Sequence, residues 1–152
     1  MLTLRSLAAN DASAVRCIYS GAAVTYLGRS EMTLPEAEQY VLQVAEWAAS
    51  EPAQQYILGV DVVGDLVGVV KLGRRPQGHG RVSYILREDV WGLGYATAAV
   101  LLLADFAAAA GFASLGAKHH PGNPASGRVL AKAGFTGIGA QNDMIEYHRD
   151  LS

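Results

Sequence analysis

The sequence predicts a mixed α+β fold: a mostly antiparallel, twisted sheet of about six to seven strands with four helices. Three observations predict it. Tyr56–Val62, Leu66–Leu72 and Gly80–Leu86 are rich in Val, Ile and Leu and read as an antiparallel meander. Gly80 to His119 reads strand, helix, strand, a crossover that makes a parallel pair inside that sheet. Phe135–Ala140 and Met144–Arg149, linked through Gln141-Asn142-Asp143, read as a closing antiparallel pair.

Taken in order, Leu2–Leu7 reads as a first strand. Asn10–Ser20 reads as a helix with Val15, Ile18 and Tyr19 on its apolar side, and with Cys17 as a buried or half-buried structural thiol. Thr33-Leu34-Pro35-Glu36 is a capping-box start with proline in the first turn, where its missing N–H does little harm. That helix runs to about Ser50, with Tyr40, Val41, Val44, Ala45 and Trp47–Ala48 as its apolar face. Val63-Gly64-Asp65 is a hairpin turn, and Gly73–Gly80 a loop with Pro76 and Gly78. Then come a helix over Gly94–Ala110, a strand over Leu115–His119 and a helix over Asn123–Ala133.

Length and composition bound the function. The 152 residues, 51% hydrophobic and 17% charged, suit a single compact domain over residues 1–152. A net charge of −2 gives no global pull toward nucleic acid or anionic membrane. One cysteine excludes an internal disulfide framework. With no signal-peptide pattern at the N-terminus, a cytoplasmic location is the expectation. The alanine-rich Tyr95–Phe112 stretch carries Asp105 near its middle and reads as a helix packed on a sheet, not a membrane span. There is no H-E-x-x-H, CxxC or carboxylate cluster with ligand spacing, so no metal is expected.

The chain is organised around Arg81–Ala99, where a strand meets Trp91-Gly92-Leu93-Gly94 and a helix opens at once behind it. The first four N–H groups of a helix lack partners inside it, and the dipole there is positive. Gly92 and Gly94 permit positive φ and a close approach of backbone to phosphate. The stretch reads as a seat for a phosphate-bearing ligand; a tight structural turn before a core helix is the other reading.

Trp91-Gly92-Leu93-Gly94-Tyr95-Ala96-Thr97, followed by Asn123, Ser126, Val129, Leu130, Lys132, Gly134 and Phe135, resembles the GNAT superfamily of acetyl-CoA-dependent N-acetyltransferases. The match is closest to its ribosomal-protein N-terminal acetyltransferase (RimJ/RimL-type) branch, and it is specific over Gly80–Phe135. The resemblance implies that the parallel pair splays at the cofactor site, with the pantetheine arm in the opening. It also implies a bulge in the third meander strand, freeing backbone for the ligand.

By the same resemblance, the amides of Gly92, Leu93, Gly94, Tyr95, Ala96 and Thr97 hold the pyrophosphate of acetyl-CoA, with Trp91 a cofactor-binding residue beside them. The backbone of Tyr84, Ile85, Leu86 and Arg87 pairs with pantetheine. Trp91 and Leu93 stand where basic residues are common in the superfamily, so neither supplies a cation. Arg87 reaches phosphate or is solvated, and both readings stand. Lys71, Arg74, Arg75 and Arg81 share its short segment; they face water or meet the 3′-phosphate or an acidic partner.

Asn123 reads as an N-cap before Pro124, and the resemblance adds that its amide bonds the pantetheine arm. Where many GNAT proteins place a tyrosine as the acid for the leaving thiolate, this chain has Leu130. The branch resemblance makes Ser126 the candidate acid as well as a cofactor contact; a small polar residue at a helix start is the other reading. His119, with His120 beside it, is the candidate base for the acceptor's ammonium; a surface or packing histidine is the plainer reading.

Glu31, Glu36, Glu38, Glu46 and Glu51 make an acidic region that is a solvated face or a lure for a cationic amine. The expected function is transfer of an acetyl group from acetyl-CoA to a primary amine, a protein N-terminus or a small molecule, by direct attack in a ternary complex that leaves CoA. A non-catalytic acyl-CoA binding or sensing module is the alternative. The expected state is monomer or homodimer, with neither nucleic acid nor membrane as partner.

Overall fold

The computed structural model describes residues 1–27, 29–50 and 53–151. Its elements run β1 (Leu2–Arg5), α1 (Ala12–Ile18), α2 (Leu34–Ala49), β2 (Gln55–Val62), β3 (Asp65–Arg74), β4 (His79–Leu86), α3 (Tyr95–Ala109), β5 (Ser114–His119), α4 (Pro124–Lys132), β6 (Thr136–Gln141) and β7 (Met144–Asp150). Seven strands form one sheet in the order β1-β2-β3-β4-β5-β7-β6. Among the described residues only β4 and β5 pair in parallel; the other five pairings are antiparallel.

Two hairpins close on two-residue turns. Val63 and Gly64 have φ of 52° and 87°, and Asn142 and Asp143 have φ of 53° and 63°. Positive φ at both central residues matches the right-handed twist of the flanking strands. The Asp61 carboxylate accepts the Gly64 N–H at 2.7 Å and steadies the first turn. The loop before β4 is shorter than the sequence suggests, because β3 runs on to Arg74 and β4 begins at His79.

Each sheet face carries its own core. Val82, Leu86, Leu115 and Leu130 join Ala99, Val100, Leu103, Ala104 and Ala107 of α3 in one. The 3–4 spacing of those α3 residues is the buried stripe of a helix lying on a sheet. Val15, Ile18, Val41 and Val44 of α1 and α2 pack with Leu66, Val69 and Ile85 in the other. The pairing of β2 with β3 skips Val67: Val60 opposes Gly68, but Asp61 opposes Leu66. This bulge changes the phase of β3, so Leu66 and Val69 share one core while Val67 and Val70 share the other.

Helix α2 begins as expected. Thr33 and Glu36 exchange bonds, Glu36 N–H to the Thr33 hydroxyl at 3.3 Å and Thr33 N–H to the Glu36 carboxylate at 2.8 Å. Ala45 and Ala48 are exposed, and Ala37 takes the buried position instead. β1 stops at Arg5, two residues earlier than its pattern suggests. Arg5 binds Asp11 and Asp61 at 2.9 Å each, fastening the start of α1 to β2. That guanidinium holds the Asp11 carboxyl below the usual carboxylate range. Cys17 is exposed, not buried, because short α1 turns Val15, Ile18 and Tyr19 inward and leaves Arg16 and Cys17 on its outer side. Among the described residues no helix is long and apolar enough to cross a membrane.

Candidate functional site

Strands β4 and β5 are neighbours only at their starts. Parallel pairing joins His79–Arg81 to Ser114–Gly116 and goes no further. β4 runs on to Leu86 and β5 to His119, so their C-terminal parts bound a cleft. The opening does not depend on a bulge in β4, which stays in register with β3 from Gly80 to Leu86. The register shifts lie between β2 and β3 and between β6 and β7.

One bond fixes which backbone groups face the cleft. Arg87 N–H donates to the Val67 carbonyl at 2.7 Å. Antiparallel pairing alternates, so Ile85 also turns its backbone to β3, whereas Tyr84 and Leu86 turn theirs to the cleft. The Leu86 carbonyl accepts the Trp91 indole N–H at 3.0 Å. Of the four residues expected to pair with pantetheine, Tyr84 and Leu86 turn their backbone to the cleft, and Ile85 and Arg87 turn theirs to β3. The Arg87 side chain is partly exposed and already ion-paired. It binds Asp65 through two bonds of 3.1 and 3.2 Å and also Asp89, which raises its pKa further.

Beyond β4 the chain turns through Trp91 to Gly94. Gly92 and Gly94 have φ of 83° and 82°, in the left-handed region. A Cβ on either would meet nothing within 4 Å, so conformation rather than space requires glycine here. Gly94 occupies the N-cap of α3 and offers no side-chain cap. Ala98 N–H to the Gly94 carbonyl, 3.2 Å, is the first backbone bond of this end. The amides of Gly92, Leu93, Gly94, Tyr95, Ala96 and Thr97 all precede it. Half-exposed Trp91 is a staple: its indole ties the turn to the end of β4.

α4 supplies the other wall. Asn123 holds the N-cap position, but its side chain makes no capping bond, contrary to expectation. Its backbone does that work: Asn123 N–H donates to the His120 carbonyl at 2.9 Å and its carbonyl accepts the Ser126 N–H at 3.2 Å. The Ser126 hydroxyl lies 2.6 Å from the Tyr84 phenol oxygen, a contact from β4 to α4. Burial raises the Tyr84 pKa, and the bond to Ser126 partly opposes it. Leu130 is buried in the α3/α4 core.

His119 is buried under α4, and this places it poorly as a base. Its Nδ1 lies 2.8 Å from the His120 carbonyl, which can only accept, so Nδ1 carries the proton. Nε2 is buried without a partner. A Cβ on Gly127 would lie 2.8 Å from it, so α4 closes over that lone pair. His120 is exposed, but its Nδ1 already accepts the Gly122 N–H at 2.9 Å. Its ring lies beside that of Tyr26 at 5.0 Å, and the Tyr26 hydroxyl donates to the Gly122 carbonyl at 2.7 Å. The 20–33 loop thus reaches the end of β5.

The charged clusters read from the sequence disperse. Glu31 accepts the Gly21 N–H, Glu36 is occupied in its cap and by Arg29, and Glu51 lies outside the described residues. Arg81 pairs with Glu146, Arg74 lies over the Phe112 ring, and Lys71 lies over Tyr19 and Tyr40. Among the described residues no group of three potential ligands could hold a metal.

A glycine-turned helix end opens on a parted parallel pair in this α+β domain. The chain belongs to the Acetyltransferase (GNAT) domain family, whose model matches residues 1–136. Among curated proteins none matches it in sequence. Three of the solved structures that share the fold are 15–20% identical. A candidate ribosomal-protein-serine acetyltransferase from Vibrio cholerae is 20% identical, TM-score 0.81, covering 98% of this chain and 93% of that one. The microcin C7 self-immunity acetyltransferase MccE, with acetyl-CoA and AMP, is 18% identical, TM-score 0.80, covering 98% and 92%. An aminoglycoside acetyltransferase with coenzyme A and kanamycin is 15% identical, TM-score 0.78, covering 99% and 95%.

Proposed function

We propose that the protein is an acetyl-CoA-dependent N-acetyltransferase that moves the acetyl group to a primary amine by direct attack in a ternary complex. One observation carries this: the free amides of Gly92–Thr97 stand at the end of the same strand whose Tyr84 and Leu86 backbone faces the cleft. A diphosphate on the first and a pantetheine arm along the second direct the thioester into the opening. The helix dipole adds about 0.3–1 kcal/mol, so the amide hydrogen bonds do most of the holding.

Within that reading the chain's residues have separate tasks. A cleft-facing N–H of β4 polarises the acetyl oxygen. Holding amine and thioester together supplies up to about 7–11 kcal/mol of the barrier. Ser126 donates to the leaving sulfur, and Asn123 contacts the pantetheine arm. The ammonium proton leaves to water, since the lone pairs of His119 and His120 are both engaged or enclosed. The acceptor is a protein N-terminus, as in the RimJ/RimL-type branch, or a small-molecule amine. The Trp91–Thr97 motif and the likeness to the Vibrio cholerae protein support the first; the likeness to the aminoglycoside enzyme supports the second.

Calorimetry with CoA, followed by free-thiol release from acetyl-CoA across a panel of amines, tests the reading. Binding with amine-dependent release is expected. Tight binding with no turnover on any amine favours the acyl-CoA sensor, and no heat at all favours an interaction protein without a nucleotide ligand.

A further inference from the structure

We propose that Tyr84 is the positioning residue behind Ser126, forming with it a two-hydroxyl relay from β4 to α4 that delivers a proton to the departing thiolate. This rests on the reading of Ser126 as the thiolate's acid.

The geometry brings the two hydroxyls together. The Tyr84 phenol lies 2.6 Å from the Ser126 hydroxyl, where either oxygen can donate, and 3.4 Å from the Ser126 carbonyl, which only accepts. The relay runs in the arrangement in which the Tyr84 phenol donates to Ser126, leaving the Ser126 hydrogen for another acceptor. A chain of two hydroxyls polarises its terminal O–H beyond what serine has alone. Burial keeps the phenol protonated near neutral pH, so it stays a donor.

The placement has a structural logic. Tyr84 belongs to the strand whose backbone faces the cleft, and its ring packs with Val82 and Leu86 on the α3/α4 side. One side chain therefore sets how far the α4 hydroxyl stands from the β4 backbone. Leu130, one turn further along α4, is buried in the core and has no proton to give. The phenol that α4 lacks arrives from β4 through Ser126.

The step balances. The amine nitrogen bonds the acetyl carbon, and the C–S bond breaks with its electron pair on sulfur. Sulfur takes the Ser126 hydroxyl proton, Ser126 takes the Tyr84 proton, and the proton shed by the amine returns to Tyr84 through water.

Tyr84→Phe, Ser126→Ala and the double variant form the test, read by thiol release from acetyl-CoA with hydroxylamine and a panel of primary amines. Thermal denaturation checks that each variant folds. Tyr84→Phe is expected to lower kcat about 10- to 100-fold with little change in the acetyl-CoA KM, and to add nothing on top of Ser126→Ala. Additive losses, or a Tyr84→Phe enzyme with wild-type kcat beside a damaged Ser126→Ala, overturn the relay and leave Ser126 as the acid. A Ser126→Ala enzyme with wild-type kcat overturns the acid reading and the relay together. So does a wild type that releases no thiol with any nucleophile.

Discussion

The ends of α3 and α4 flank the same cleft and are built from different materials. The α3 end is backbone alone: two left-handed glycines, no side-chain cap and a run of amides with no helical partner. The α4 end is side chains: Pro124 in the first turn, a half-buried Asn123 whose amide does not cap, and a serine bonded to a tyrosine from the sheet. The first suits a ligand recognised by charge and shape, such as a diphosphate. The second suits a reacting atom that needs one placed hydrogen. In the proposed function the diphosphate falls to the α3 end and the reacting hydrogen to the α4 end, where Asn123 also meets the pantetheine arm, so Gly94 and Ser126 variants should move different readouts.

The largest break in that division comes from Ser126→Ala. We expect kcat to fall by about 10²-fold or more, the scale of a lost general acid, with coenzyme affinity nearly unchanged in calorimetry. Next is Gly127→Ala. Its Cβ would meet His119 Nε2 and the Tyr147 hydroxyl at 2.8 Å each. Such overpacking costs about 1–3 kcal/mol in denaturant unfolding, and it also displaces Ser126 from the cleft.

The pH dependence sharpens the comparison further. With no imidazole base in reach, kcat/KM for the amine should rise about tenfold per pH unit until the amine's own pKa. A pH inflection in kcat/KM that disappears in His119 or His120 variants would restore a histidine base. Thr33→Ala is the smallest effect and the control. It removes the cap of a helix on the far sheet face, lowers stability by about 1 kcal/mol, and leaves kcat and coenzyme affinity unchanged.

The same contrast explains what could be read from sequence. Backbone demands write themselves locally: a left-handed φ calls for glycine, so Gly92 and Gly94 announced the α3 end. The two hairpins, the Thr33–Glu36 capping box, the meander and its parallel crossover were legible because each is written in a local pattern. Side-chain partnerships across the fold were not. Tyr84 and Ser126 are 42 residues apart, and nothing in either neighbourhood says that a strand face and a helix face will meet there. His119 looked accessible at a strand end because the cover that α4 gives it is a tertiary fact. Arg87 looked available for phosphate because Asp65 lies one strand away. Asn123 looked like a side-chain cap because the local pattern fits one, while the His120–Asn123 backbone bonds had already formed the turn.

Coenzyme affinity of Gly94→Val, measured by calorimetry on protein that still melts cooperatively, tests the central claim most directly. Open space around the Cβ predicts that the fold survives with a strain of about 1–2 kcal/mol, while the amides of Gly92–Thr97 lose their convergence. We predict CoA binding weakened about tenfold or more, the loss of one or two charge-assisted hydrogen bonds. Wild-type affinity in a folded Gly94→Val protein would contradict the account.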